Sequence, residues 1–145
     1  MRERRLFCVL ALLPILASLE ACNWDQGALS GPSEFLTGTW SGPYAIPSDP
    51  PGRQSMVQLY LTQTDSEVRG DFSLKRPALV NPTVGLVTGG RSGSNVTLSL
   101  KLWCDQVLTG TLVLNQARNH MSGTMDGTLC SGQTAHGPVD LDRGD

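Results

Sequence analysis

The chain has 145 residues and a formal net charge of −2 at pH 7, and 39% of its residues are hydrophobic. Its basic residues are scattered and outnumbered by acidic ones, so the sequence lacks the electrostatic footprint of a nucleic-acid-binding protein. It also lacks a basic face suited to a membrane surface, and its length suits a single domain.

The first 21 residues have the pattern of a secretory signal peptide. Arg2, Arg4 and Arg5 form a basic start, and a mostly apolar stretch follows at residues 6–19. About 14 residues at ~1.5 Å rise per residue cannot cross a ~30 Å hydrocarbon core as a helix. The pattern therefore favours a cleaved export signal over a membrane span. Removing residues 1–21 leaves 124 residues with a formal net charge of −3.

The sequence LEAC at residues 19–22 resembles the lipobox of bacterial lipoproteins. The resemblance implies cleavage before Cys22 and lipidation of that cysteine by palmitate-type chains, and the alternative is a secreted protein with a free Cys22. In that family an Asp directly after the cysteine tends to retain the protein at the inner membrane, whereas Asn23 stands here. The resemblance therefore implies an outer-membrane lipoprotein that faces the periplasm, with residues 22–35 as lipidated cysteine and flexible tether.

From residue 36 onward the sequence predicts eight β-strands. Short runs of alternating apolar and polar residues are separated by turn residues, without a helical period of useful length. The alternation is clearest in the fifth run, where every second residue from Val96 to Leu102 is apolar, and weakest in the fourth, where both faces carry apolar residues. The predicted strands cover residues 36–46, 55–64, 67–75, 83–90, 95–103, 107–115, 120–129 and 134–143.

These strands predict a closed barrel. Short polar turns join successive runs, so neighbouring strands pair antiparallel, and closure removes both sheet edges. An inward glycine lets strands bend and approach closely in a small barrel. The predicted inward glycines are Gly38, Gly70, Gly110, Gly123 and Gly127. The fold class predicted for residues 36–145 is all-β, an eight-stranded antiparallel up-and-down β-barrel, and a two-sheet sandwich is the alternative.

The strand directions gather four loops at one end of the barrel, which we call the rim. These are the loops after the first, third, fifth and seventh strands, and several prolines stiffen them. Cys8 leaves with the signal peptide and Cys22 takes the lipid, so Cys104 and Cys130 remain, and both stand in rim loops. In an oxidising compartment this arrangement predicts a disulfide between Cys104 and Cys130.

The opposite end carries a tryptophan and an arginine on neighbouring strands. Gly38 and Trp40 open the first strand as Gly-x-Trp, and Arg143 ends the last strand on the inward face. Arg143 can then stack over the indole and close the barrel. This resembles the calycin superfamily of lipocalins and avidins, which implies a closed barrel with a Trp–Arg closure pair. Biotin binding is not implied, because the later strands lack avidin's aromatic contact residues.

The sequence predicts a protein that is not an enzyme and uses neither a metal nor a cofactor. His120 and His136 lack further ligands at the short spacings that zinc sites use. His136 is expected on the outer face near Asp140, as a solvated side chain rather than a catalytic base. Asp105 and Asp126 stand alone, so paired-carboxylate catalysis is not indicated.

Two kinds of function fit these features. The first is a binding module for a small apolar or amphipathic ligand at the barrel mouth, since small inward residues could leave a cavity that larger side chains would otherwise fill. The candidate ligand-facing residues are Tyr44, Leu59, Phe72, Leu100, Leu112 and Met125. The second is a protein-interaction module that uses the rim loops, such as an inhibitor of a lysozyme or protease. A structural envelope lipoprotein without a ligand is a third interpretation.

Overall fold

The structure is a computed structural model that describes residues 35–144. It confirms the predicted fold, a closed barrel of eight antiparallel strands in which β1 also pairs with β8. The strands are β1 (Gly38–Tyr44), β2 (Ser55–Thr64), β3 (Glu67–Lys75), β4 (Thr83–Ser92), β5 (Asn95–Leu102), β6 (Val107–Leu114), β7 (His120–Thr128) and β8 (Thr134–Arg143). Within the described range, no helix is long and apolar enough to cross a membrane. The predicted signal peptide, Cys22 and nearly all of the predicted tether lie outside the described residues.

Strand boundaries differ from the predicted ones by at most two residues. β1 begins at Gly38, because the preceding residues turn across the end of the barrel and the Leu36 amide donates to the side chain of Gln63 at 3.1 Å. β4 extends to Ser92, because Ser92 still pairs with Asn95 across a two-residue turn. The turn chemistry, rather than the apolar alternation, therefore sets the strand ends.

One cluster of buried apolar side chains occupies the barrel interior, with members from all eight strands. Alternate residues of β2, β6 and β8 are buried, as period-2 strands with one wet face require. The three largest fully buried side chains are Trp40, Tyr44 and Phe72. The apolar residues of the alternating sequence pattern thus face the barrel interior, and the polar residues between them face solvent.

Inward glycines let the backbones of adjacent strands come together. A Cβ at Gly70 would overlap the carbonyl oxygen of Tyr60 on β2. A Cβ at Gly123 would overlap the carbonyl oxygen of Thr111 on β6 in the same way. Both positions therefore require glycine because of close backbone approach, as the sequence pattern predicts.

β4 reverses the usual distribution of side chains. Its inward face carries Gly85 and Gly89 around a single buried aliphatic residue, Val87. Val84 and Leu86 point outward instead, and they are 51% and 60% exposed. The weak alternation of the fourth run in the sequence has this cause: the glycines are inside, and aliphatic residues are on both faces.

Candidate functional site

The six predicted ligand-facing side chains lie in the barrel interior and are tightly packed. They are Tyr44, Leu59, Phe72, Leu100, Leu112 and Met125, and their exposed fractions range from 0% to 2%. A water-sized sphere therefore touches almost none of their surface, from within the barrel or from outside. Around these six residues, the described part of the chain leaves no room for a ligand unless the core repacks.

A buried ion pair closes the rim end of the barrel. Arg76 follows β3 and is 6% exposed, and its Nη2 lies 3.2 Å from Oδ1 of Asp49. The same guanidinium donates to the Ser48 hydroxyl at 3.0 Å and to Oε1 of Gln133 at 3.3 Å. Oδ2 of Asp49 accepts from the amide of Ser55 at 3.0 Å and from its hydroxyl at 2.6 Å. This network satisfies both buried charges and ties three rim loops together.

Tyr44 connects the strands of the core near the rim. Its single hydroxyl proton is shared between the carbonyl oxygens of Met125, at 3.2 Å, and Ala135, at 3.1 Å. Burial raises the pKa of the Tyr44 hydroxyl above its usual range, and the negative charges of Asp126 and Asp49 raise this pKa further. The donor capacity of this hydroxyl is therefore used within the barrel.

The structure confirms the disulfide between Cys104 and Cys130. It joins the β5–β6 loop to the β7–β8 loop, with the two Cα atoms 5.7 Å apart. With a sequence separation of 26 residues, the chain-entropy model gives a stabilisation of about 3.5 kcal/mol. The disulfide holds the β5–β6 and β7–β8 loops, and the Arg76 network holds the β1–β2, β3–β4 and β7–β8 loops. All four rim loops are therefore fixed, and the β7–β8 loop takes part in both sets of contacts.

Sequence reasoning missed the buried ion pair, although strand parity carried a signal for it. Arg76 lies two residues after Leu74, and Gln63 lies two residues after Leu61, so each continues an inward face. In the structure Gln63 is 2% exposed and accepts the amide of Leu36. A polar residue at inward parity just beyond the last apolar one therefore indicates a buried polar cap at a barrel end.

Trp40 and Arg143 close the end opposite the rim, which we call the base. Trp40 is fully buried, and its Nε1 donates to the carbonyl oxygen of Leu36 at 2.9 Å. Arg143 pairs with Trp40 in the β1–β8 ladder, and its guanidinium carbon lies 5.8 Å from the indole centroid. Arg143 also donates to the carbonyl oxygens of Thr37, at 2.6 Å, and Phe35, at 3.3 Å. These bonds hold residues 35–37 at the base.

Two further arginines hold Phe35 at the base. The guanidinium carbons of Arg91 and Arg118 lie 4.6 Å and 3.2 Å from the centroid of the Phe35 ring. Burial lowers the pKa of the Arg91 guanidinium from its usual value, and the positive charge of Arg118 lowers this pKa further. The cation–π contacts therefore attach the segment before β1 to the turns at the ends of β4 and β6.

The two histidines contact carboxylates on the outer wall of β7 and β8. His120 lies 2.9 Å from Asp142 through Nδ1 and 3.2 Å from Asp140 through Nε2. His136 lies on the outer face of β8, as predicted, and it contacts Asp126, its partner in the β7–β8 ladder. Among residues 35–144, no group of acidic, histidine and cysteine side chains is arranged to hold a metal ion.

Large apolar side chains are exposed at the rim. Val80 in the β3–β4 loop is 96% exposed, and Trp103 in the β5–β6 loop is 72% exposed. Met56 and Leu79 are each 47% exposed and line one hollow of about 320 Å³. We call these four residues the rim patch. Exposed apolar surface that includes a tryptophan is typical of protein-binding sites.

Comparison with protein-family models, with curated proteins and with solved structures gave no match to this chain. The resemblance to the calycins therefore rests on Gly38, Trp40 and Arg143 and on the barrel itself. Barrels of this kind carry many unrelated functions, so the fold alone does not identify the function of this chain.

Proposed function

We propose that this chain is an exported, non-enzymatic envelope protein, lipid-anchored at Cys22, that binds another protein through its rim. The supporting observation is the contrast between the packed interior and the exposed rim patch. The six predicted ligand-facing side chains of the interior are 0–2% exposed, whereas Val80 and Trp103 are 96% and 72% exposed. Surface available for recognition thus lies outside the barrel, at the end remote from Phe35.

Carriage of a ligand inside the barrel would require the core to open. Pockets for small molecules usually measure about 300–1,000 Å³, and the core side chains leave no comparable space around Tyr44 or Phe72. The Arg76–Asp49 pair adds a polar cap at the rim end, where both side chains are almost completely buried. Entry of an apolar molecule there would separate two buried charges, which is strongly unfavourable.

The rim has the rigidity that a protein-binding surface benefits from. The disulfide between Cys104 and Cys130 and the hydrogen bonds of Arg76 hold the loops that carry the rim patch. Loops that are already ordered lose less conformational entropy on binding. Met56 and Leu79 line the same hollow as the basic side chains of Arg53 and Lys75. Trp103 and Val80 serve as further apolar anchors at the rim. Inhibition of a lysozyme or protease is one form that this function takes.

The proposal is tested by site-specific photo-cross-linking in the native host. A photoreactive residue at Val80 is compared with one at Gln116, which is exposed in the β6–β7 loop at the base. We expect a discrete protein adduct from position 80 and none from position 116. Equal labelling at both positions, or no protein adduct at position 80, would contradict rim recognition.

A small amphipathic ligand at the mouth is the second candidate. Two adjacent hollows of about 320 Å³ and about 300 Å³ share Met56 and Lys75 on the outer side of the rim. An ammonium beside an apolar side chain suits an anionic amphiphile. Native mass spectrometry of the exported protein tests this candidate: a reproducible adduct that Lys75→Glu removes supports it, and a clean apo mass excludes it.

A further inference from the structure

The outer face of β4 forms an apolar surface on the barrel wall between β3 and β5. Val84, Leu86 and Thr88 point outward from β4, and none of them carries a charge. A strand with aliphatic residues on both faces is typical of a strand that is covered on both faces. In β4 the inner face is covered by the core, whereas Leu86 on the outer face is 60% exposed.

The pairing register places opposite charges on the two sides of β4. Asp71 on β3 and Lys101 on β5 both pair with Leu86, so the three outward side chains form one row with neighbouring strands ~4.8 Å apart. Asp71 is exposed and forms no ion pair with another described residue. Lys101 is 58% exposed, and although its Nζ lies 2.9 Å from Asp105, two of its three N–H groups can reach a second carboxylate.

From this row we infer that a second copy of this chain covers β4, in a dimer whose two-fold axis runs along β4 past Leu86. A two-fold axis exchanges the two sides of the row, so Asp71 of each copy faces Lys101 of the other. Leu86 then faces Leu86 at the axis, and an apolar centre is flanked by two ion pairs.

The neighbouring rows agree with this symmetry. Thr88 is flanked by Arg69 on β3 and by Ser99 on β5, so the axis brings each arginine opposite a serine. Val84 lies on the axis, and its neighbour on β3 is the uncharged Ser73. No two like charges meet in the three rows, which is the condition that a self-complementary surface has to satisfy. The apolar centre provides attraction, and the Asp71–Lys101 pairs set the register.

Cysteine cross-linking of the full chain in its own membrane tests the dimer. Leu86→Cys places one thiol of each copy at the axis, so mild oxidation should give a covalent dimer. Thr124→Cys is the matched control, because Thr124 is exposed on β7, away from β4, and should stay monomeric. A monomeric Leu86→Cys protein, or equal cross-linking of both variants, would overturn the inference.

Charge exchange tests the register separately. Lys101→Asp brings two carboxylates together at each side of the axis and should reduce Leu86→Cys cross-linking by about tenfold. Adding Asp71→Lys restores opposite charges and should restore the cross-link, and failure to restore it would refute this arrangement. If Lys101→Asp does not accumulate, the result with Leu86→Cys alone decides. Photo-cross-linking from Val80 should not change in Lys101→Asp, which separates this dimer from recognition at the rim.

Discussion

Replacing Arg76 by methionine should destabilise the barrel by about 3–5 kcal/mol, which is the usual effect of removing one partner from a buried ion pair. Methionine keeps an unbranched apolar stem, so the change removes the guanidinium with little loss of packing volume. Asp49, whose side chain is 3% exposed, would retain only the two donors of Ser55. Since domains are stable by about 5–15 kcal/mol in total, the loss would be a large fraction of the whole.

Urea unfolding followed by tryptophan fluorescence measures this loss, and two variants serve as controls. Arg69→Met removes an ion pair with Glu67 whose side chains are 71% and 58% exposed, so it should change stability by less than about 1 kcal/mol. Arg76→Met combined with Asp49→Asn removes both buried charges, and the asparagine oxygen can still accept the Ser55 amide. The double variant should recover most of the stability that Arg76→Met loses.

An Arg76→Met variant as stable as Arg69→Met would refute the reasoning. It would mean that water reaches Asp49 in the folded protein and that the rim end of the barrel is open. The buried ion pair would then no longer oppose the entry of an apolar ligand into the barrel.

Two further predictions concern the core. Trp40→Ala should destabilise the protein by about 3–5 kcal/mol, because the indole is fully buried; denaturant unfolding that shifts by less than 1 kcal/mol would contradict the inward position. The raised pKa of Tyr44 favours its neutral form in the folded state, whereas the unfolded chain ionises above about pH 10. Its contribution to stability is therefore fully present below pH 10 and is lost as the pH rises above it. Above pH 10 the unfolding free energy of the wild type should fall more steeply with pH than that of Tyr44→Phe. Tyr60→Phe, which changes an exposed tyrosine, is the control and should follow the wild type. Parallel plots of unfolding free energy against pH for the wild type and Tyr44→Phe would refute this.

The barrel could be predicted from the sequence because most strands alternate between a buried apolar face and a solvent-exposed face. Alternation in β5 from Val96 to Leu102 identifies the inward side, and short turns fix the order of pairing. The neighbourhood of Trp40 and Arg143 follows from closure alone, since the first and last strands must then pair. Cys104 and Cys130 meet for the same reason, because β5 and β7 run in the same direction.

The state of the interior could not be predicted in this way. Inward glycines suggest vacant space, but at Gly70 and Gly85 the neighbouring backbone has moved into that space. The Arg76–Asp49 pair joins two loops 27 residues apart, and irregular loops have no period from which such a contact can be read. The outward aliphatic residues of β4 gave only an ambiguous signal, because alternation shows which faces are apolar but not which of them is inside.

The way in which β1 is held has a mechanical consequence. β1 lies between β2 and β8. The segment before β1 is held in place because Arg143 donates hydrogen bonds to the carbonyl oxygens of Phe35 and Thr37 in that segment. A force that pulls on the chain at Phe35 would act first on the hydrogen bonds of Arg143. It would then act at the same time on the hydrogen bonds that β1 makes with β2 and with β8. Two ladders sheared in parallel resist force better than a single terminal strand peeled from an open sheet. An anchor at this end of the chain could therefore be strained without unravelling the barrel, and the rim would keep its shape while the base carries the load.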